Sequence, residues 1–242
     1  RPLTRPAQLS RRVISKIVMK LLIFGSEKEK IPQLVKKFGF KLVIKSPDVV
    51  VSYGGDGTLM KSEYQFPGVP KLILRASLIC KKCSPYSNER ILELLKEGRY
   101  KIEKLIKLEA VLVKKKLIGM NDIVVHNSDP RHAIRYRYAV NGVQHPHEVI
   151  GDGVVAATPF GSSAYYRSIT KSTFQKGIGL AFNNSTEPFD HMVLSDDGVI
   201  NVNISRGSAI IFADNQPEKI QLKDGQSVEI KKSAESAEIL SF

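Results

Sequence analysis

Val49-Val50-Val51-Ser52-Tyr53-Gly54-Gly55-Asp56-Gly57-Thr58 is the stretch on which the fold turns. Its apolar start has no polar alternation, the pattern of a strand buried on both faces, as parallel sheets require. The run passes directly into Gly-Gly-Asp-Gly-Thr and then into Leu59–Tyr64, which reads as a helix. Glycines at the carboxyl end of a parallel strand let backbone N–H groups and a helix N-terminus approach a phosphate. An aspartate there lies where open α/β sheets bind ligands, and it suits a base for a hydroxyl or a metal ligand. A Gly-rich turn in which Asp56 only caps the helix is the simpler alternative.

Outward from this stretch the two halves of the chain differ. Lys20–Gly25, Lys41–Ile44 and Lys71–Leu74 read as further short strands, and Glu27–Phe38 and Ser87–Lys96 as helices stopped by Gly39 and Gly98. Strands alternating with helices predict a Rossmann-like α/β domain with a parallel sheet over residues 19–98. After Gly98, Tyr136–Val140 alternates and runs into an Asn141-Gly142 hairpin turn. Val154–Thr158, Ile178–Asn183, Met192–Leu194, Val199–Ser205, Ala209–Ala213 and Val228–Lys231 continue the strands, with one helix at Ser162–Lys171. This predicts an all-β, sandwich-like C-terminal domain over residues 99–242.

The 242 residues are 42% hydrophobic and 25% charged, which excludes a mainly disordered chain, a collagen repeat and a coiled coil. No apolar run is long enough to span a bilayer, so no membrane-spanning role is expected. Two cysteines make no disulfide scaffold and suit a reducing, cytoplasmic setting. The net charge of +13 points to polyanionic ligands. Six basic and no acidic residues fall among the first 20, and we expect residues 1–18 to form a disordered basic leader. No nucleic-acid-reading motif is present and tryptophan is absent, so no nucleic-acid partner is expected. Cys80-Lys81-Lys82-Cys83 is a lone C-x-x-C, read as a chance spacing in a loop. His145-Pro146-His147 is read as a hairpin cap, and no metal-ligand set is expected among the histidines.

A second chemical segment is Gly151-Asp152-Gly153 followed by Thr158-Pro159-Phe160-Gly161-Ser162-Ser163-Ala164-Tyr165. Its small hydroxyl residues suit hydrogen bonds to sugars or amides, and Tyr165 can stack on a planar ring. Gly-Gly-Asp-Gly-Thr, Asn121-Asp122, this segment, Leu194–Ile200 and Ala213-Asp214-Asn215-Gln216 occur in the order found in the NAD kinase family, which the chain resembles over about residues 20–240. Gly-Gly-Asp-Gly-Thr is shared with diacylglycerol-type lipid kinases, whereas Thr-Pro-x-Gly-Ser-x-Ala-Tyr points to NAD.

The resemblance implies transfer of a phosphoryl group from ATP or polyphosphate, with Mg²⁺ or another divalent cation, to the adenosine ribose 2′-hydroxyl of NAD(H). On it, Asp56 is the catalytic base, in a loop with Gly54, Gly55, Gly57 and Thr58. Asn121 and Asp122 grip adenosine, Asp152 the nicotinamide end, and Ser163, Ala164, Tyr165 and Ser168 line adenine and ribose. His132 lies near the phosphates and Gln216 in a later Asp-Gly-Gln motif. A homodimer or homotetramer is implied, with the site near an interface.

Departures from the family pattern are Asp122 for Glu, Phe160 and Ser163 for Thr, Ile150 for a basic residue, and Asn215 for Gly. The expected Gly-x-Asn-x-Gly-x-Leu-Gly-Phe segment is replaced by Leu72-Ile73-Leu74-Arg75-Ala76-Ser77-Leu78-Ile79-Cys80, and no counterpart of the family's C-terminal helix is expected in the stretch up to Phe242. A lipid kinase, or a dinucleotide-binding regulator without catalysis, are the alternative readings.

Overall fold

A computed structural model describes residues 18–25, 29, 31–76 and 82–242; residues 1–17 of the leader expected over 1–18, and Cys80 of the C-x-x-C pair, lie outside them. The first part comprises β1 (Lys20–Phe24), α1 (Pro32–Lys37), β2 (Lys41–Leu42), β3 (Val49–Gly54), α2 (Asp56–Gln65), β4 (Lys71–Arg75) and α3 (Asn88–Lys96). The strands are parallel in the order β2-β1-β3-β4. On one face of the sheet Val49, Val51, Tyr53, Leu72 and Leu74 pack against Val35, Ile91, Leu92 and Leu95. On the other, Ile73 meets Leu59 of α2. Ser87 caps α3 by accepting from the Arg90 N–H at 3.2 Å, and Pro32 occupies the first turn of α1, where a missing N–H costs nothing.

The rest is β-rich: β5 (Lys101–Leu112), β6 (Lys115–Gly119), β7 (Asp122–Asn127), β8 (Ile134–Val140), β9 (Val143–Gln144), β10 (Val149–Gly151), β11 (Gly153–Ala157), α4 (Tyr165–Thr170), β12 (Ile178–Asn183), β13 (His191–Leu194), β14 (Ile200–Arg206), β15 (Ala209–Ala213), β16 (Lys219–Leu222) and β17 (Ser227–Ser241). A six-stranded antiparallel sheet, β13-β12-β11-β7-β15-β16, faces the antiparallel part of a larger sheet. Alternation along each strand sends Ile123, Val125, Val154, Leu180 and Ile211 into a core shared with Tyr136, Ile200, Val202 and Ile230. Val124, Val155 and Ala181 project the other way and are covered by Tyr166 of α4.

The fold class is the one the sequence predicts, an α/β domain followed by a sandwich-like β domain. The two share one eleven-stranded sheet, because the end of β17 pairs with β4 in parallel at Ile239 and Lys71. Leu240 and Phe242 accordingly pack with the first core. The long β5–β17 ribbon that carries the connection goes beyond the strand expected at Val228–Lys231. The helix expected at Ser162–Lys171 is a 3-10 turn at Gly161–Ser163 followed by the short α4. No described helix is long and apolar enough to cross a membrane.

Beneath α2 a buried ion cluster joins the two parts. Glu63 of α2 pairs with Lys71 of β4 and Lys107 of β5, and all three are almost fully buried. Lys71 also donates to the Phe66 carbonyl at 2.8 Å, and Lys107 lies 3.9 Å from Glu235. Burial pulls the Lys71 ammonium below its ordinary value, opposed by its hydrogen bond to Glu63. Removing the shared anion leaves two buried ammonium groups without their common counter-ion. Glu63→Gln is therefore expected to cost about 3–5 kcal/mol in urea unfolding, and replacing all three residues by Leu or Met to recover most of it. A loss for Glu63→Gln no larger than that of an exposed pair would show the cluster to be hydrated.

Candidate functional site

The Gly-Gly-Asp-Gly-Thr loop joins β3 to α2 in a single step. A Cβ on Gly54 would lie 2.2 Å from Thr58 Oγ1, so the hydroxyl folds over the strand end and only glycine fits beneath it. Gly55 is the N-cap and has no side chain to occupy the first N–H groups of α2. Asp56 is the first helical residue and not the cap; its Oδ1 accepts from the Lys82 N–H at 3.2 Å. The Lys82 ammonium donates to the Phe160 carbonyl and lies 4.0 Å from the centre of the Phe160 ring. Asn215 donates its amide to the Gly57 carbonyl at 3.0 Å. The loop is thus tied to both Phe160 and Asn215 of the β-rich part.

Asn121 and Asp122 follow β6 in the tight turn into β7, and both are buried. The Asp214 carboxylate holds this turn, accepting from the N–H groups of Met120 (2.9 Å), Asn121 (2.7 Å) and Asp122 (3.2 Å). Thr158 reaches the same turn from β11: its N–H donates to the Asn121 carbonyl at 2.9 Å and its hydroxyl to the Met120 carbonyl at 2.7 Å. A Cβ on Gly161 would sit 2.0 Å from the Asn121 carbonyl oxygen, which explains the glycine of Thr-Pro-x-Gly. Asn121 Oδ1 is left buried with no hydrogen-bond partner. Burial, and then the Asp214 charge, push the Asp122 carboxyl up to about 7. Burial also raises Asp214, against the lowering effect of its three N–H donors.

Asp152 stands between β10 and β11 in a frame of asparagines. Its Oδ1 accepts from Asn127 Nδ2 at 3.1 Å and its Oδ2 from Asn184 Nδ2 at 3.1 Å. The Tyr165 hydroxyl accepts from Asn183 Nδ2 at 3.2 Å. Burial raises the phenol, followed by the charges of Asp152 and Asp122, so Tyr165 lies within electrostatic reach of both carboxylates. Ser163 is half-buried, Ala164 is exposed, and the exposed Ser168 bonds its hydroxyl to the Tyr165 carbonyl at 2.7 Å. His132 turns its exposed ring to Asp129, while its carbonyl accepts from Asn127 Nδ2 at 2.8 Å. Gln216 donates to the Ile118 carbonyl at 2.6 Å and lines a cavity of about 330 Å³ with Glu63, Tyr64, Lys107 and Asp214.

Asn121, Asp122, Thr158, Tyr165 and Asp152 are therefore linked, with Asp56 and Gly57 joined to them through Phe160 and Asn215. His132 and Gln216 meet this set only through backbone carbonyls and a neighbouring cavity. Lys82, Asn127, Asn183 and Asn184 were missed by sequence reasoning, because asparagines at strand ends read as turn residues and Lys82 as part of a C-x-x-C loop.

A Gly-rich strand-to-helix loop facing a carboxylate-lined β layer defines a two-domain protein of the NAD kinase type. Residues 120–242 match the ATP-NAD kinase C-terminal domain family. The chain belongs to the NAD kinase family. It is 33% identical over 165 residues to NAD kinase from Sulfurisphaera tokodaii, covering 65% of this chain and 64% of that protein. The NAD kinase of Saccharolobus islandicus is 33% identical over 154 residues, 62% of this chain and 59% of the relative. The chain thus spans less than two thirds of the length of these relatives. NAD kinase from Sulfurimonas denitrificans is 27% identical over 217 residues, with 83% and 74% covered. The fold is shared with yeast NADH kinase complexed with NADH (TM-score 0.80, 17% identity, 93% of this chain and 84% of that one). It is shared also with an Archaeoglobus fulgidus NAD kinase in complex with ATP (TM-score 0.76, 21% identity, 92% and 94% covered).

The raised Asp122 carboxyl predicts a pH-dependent stability. In the unfolded chain this group ionises near 3.8, whereas in the fold it keeps its proton to about 7. The folded state binds the extra proton across that window, so the contribution is complete below about pH 4 and lost as pH rises through 7. Asp214, also raised, acts in the same sense. The unliganded protein should be less stable to urea at pH 8 than at pH 5 by an amount of the order of a few kcal/mol, and Asp122→Asn should remove much of that slope. Parallel pH profiles for the two proteins would show that Asp122 is ionised throughout.

Proposed function

We propose that the chain is an NAD kinase that phosphorylates the 2′-hydroxyl of the adenosine ribose of NAD(H), with ATP or polyphosphate as donor. The observation that carries this reading is the unmatched acceptor of Asn121 Oδ1 in a buried turn joined to the Asp56 loop. Buried acceptors without donors are costly, and an adenosine offers both amino and hydroxyl donors. The Thr158–Tyr165 segment and Asp152 extend the same surface towards the rest of a dinucleotide.

On this reading Asn121 and Asp122 hold the adenosine, and Tyr165 and Asp152 orient the remainder. Asp56 accepts the proton of the 2′-hydroxyl as its oxygen bonds to the donor's terminal phosphorus, while the bond to the bridging oxygen breaks and the shortened polyphosphate leaves. Among the described residues no group of three or more His, Cys, Asp or Glu side chains forms a metal cage. A divalent ion of the Mg²⁺ kind would arrive on the donor's phosphates, with the Asp56 carboxylate of the loop beside it. Such an ion supplies charge neutralisation at the transferring group. Homo-oligomerisation is part of the proposal, supported by the exposed apolar Phe189 and Val193 at the β13 edge.

Following NADP or NADPH formation with ATP and with polyphosphate tests the reading. Phosphorylated diacylglycerol would point to the lipid kinase, and dinucleotide binding without turnover to a regulator. Asp56→Asn keeps the shape and loses the base, so kcat should fall by roughly 10²- to 10⁴-fold with NAD affinity little changed; wild-type kcat would exclude Asp56 as the base. Asp152→Ala frees Asn127 and Asn184 and should weaken NAD binding by about 1–3 kcal/mol. Unchanged affinity by calorimetry would remove Asp152 from the site.

A further inference from the structure

Arg75 closes β4 and lies in register with Gly54, the last residue of β3 before the Asp56 loop. Side chains alternate along a strand. Leu72 and Leu74 enter the first core, whereas Ile73 packs against Leu59 of α2 and Lys71 meets Glu63 of the same helix. Arg75 shares the face of Lys71 and Ile73, so its side chain leaves the strand on the side where α2 begins.

Its position is closely held. Arg75 donates its N–H to Asn88 Oδ1 at 2.9 Å, and Asn88 Nδ2 donates to the Arg75 carbonyl at 2.9 Å. The guanidinium gives Nη2 to the Ser84 carbonyl at 3.2 Å. Its Nε is shielded from solvent and has no acceptor. Nε is closed to an arriving ligand, but the Ser84 carbonyl takes only one of the remaining N–H donors of the fork, and an anion at the strand end can take others. Ligands of open α/β sheets collect at the carboxyl ends of the strands, and Arg75 occupies that end beside the glycine loop. Arginine's flat fork of donors matches phosphate oxygens in pairs.

We propose that Arg75 is a specificity-determining residue that holds the terminal phosphates of the phosphoryl donor beside the Gly54–Asp56 loop. The donor's role rests on the NAD kinase reading; the binding of a polyphosphate chain does not.

The test uses the full chain, with calorimetry of ATP, tripolyphosphate and NAD on the wild type, Arg75→Gln and Arg75→Lys, alongside thermal unfolding and steady-state kinetics. In Arg75→Gln, affinity for both ATP and tripolyphosphate should fall roughly 10- to 100-fold, the value of hydrogen bonds to a charged group. KM for ATP should rise more than kcat falls, with NAD affinity and melting temperature unchanged. Arg75→Lys keeps the charge without the fork and should recover part of the loss; it carries the test if Arg75→Gln does not fold. Unchanged affinity for tripolyphosphate overturns the proposal, as does a lower melting temperature with intact ATP binding, which would make Arg75 a tether for Ser84. A wild type that binds neither anion also overturns it. If the wild type makes no NADP yet binds tripolyphosphate through Arg75, the NAD kinase reading fails and the Arg75 assignment stands.

Discussion

The Asp214 carboxylate is the group on which the site depends. Three successive N–H groups at the β6–β7 turn converge on its two oxygens, at 2.7 to 3.2 Å. No regular ladder can satisfy three consecutive donors on one side of a tight turn, so a side chain from another strand has to. Its backbone takes the left-handed conformation, φ 48°, which a short polar side chain tolerates at modest cost. With the turn held, the Asn121 carbonyl is free for Thr158, and the side chains of Asn121 and Asp122 are set in place beside Gly161. The cost is electrostatic. Burial first, and then the charge of Asp214, push the Asp122 carboxyl up to about 7.

The same loop that supplies Asp214 also supplies Asn215, and Asn215 is what reaches the Asp56 loop. Two further ties join α2 to the β-rich part: Tyr64 to Glu218, and Glu63 to Lys107. Both come from the last turn of the helix whose first residue is Asp56. Together with the parallel pairing of β17 on β4, they make the relation of the two parts a matter of main-chain bonds and buried charge. Side chains that differ from the family pattern, such as Asn215, therefore take part in holding the loop.

What was legible in the sequence follows from how locally each signal is determined. β3 was legible because a strand buried on both faces needs an unbroken apolar run, and Val49–Val51 has one. Asn141-Gly142 was legible because both residues adopt positive φ, 52° and 80°, as the hairpin turn requires. The β5–β17 ribbon was not, because Lys101–Lys104 and Lys231–Glu238 are rich in charge and take their order from distant partners, Lys101 from Ser241 and Lys231 from Glu109. The chemical residues divide in the same way. Asp56 and Asp152 stand among glycines whose spacing reports a close backbone approach. The asparagines that orient Asp152 and Tyr165 come from strands far apart in the chain, and their partners exist only after folding. Gln216 was legible as part of a motif, yet its amide is taken by the Ile118 carbonyl. A motif shows that a residue matters without saying what it touches.

Charge is distributed along the site in a way that the net value of +13 conceals. Asp122, Asp214 and Asp152 gather on the β-layer side, where the unmatched groups are acceptors. Arg75 and Lys82 flank the loop on the α/β side, Arg75 bonded to the Ser84 carbonyl and Lys82 to the Phe160 carbonyl. A nucleoside presents neutral N–H and O–H donors, and a polyphosphate presents only acceptors and negative charge. A field with carboxylates at one end and guanidinium and ammonium at the other accepts a molecule carrying both in one orientation and repels it in the reverse. Asp56 lies between these two ends, bonded to the Lys82 N–H on one side and joined through Gly57 to Asn215 on the other. The polarity of the groove and the position of the carboxylate are thus two expressions of one arrangement: β3 delivers Asp56 to the seam, and Asn215 and Phe160 tie it there to the layer that Asp214 organises.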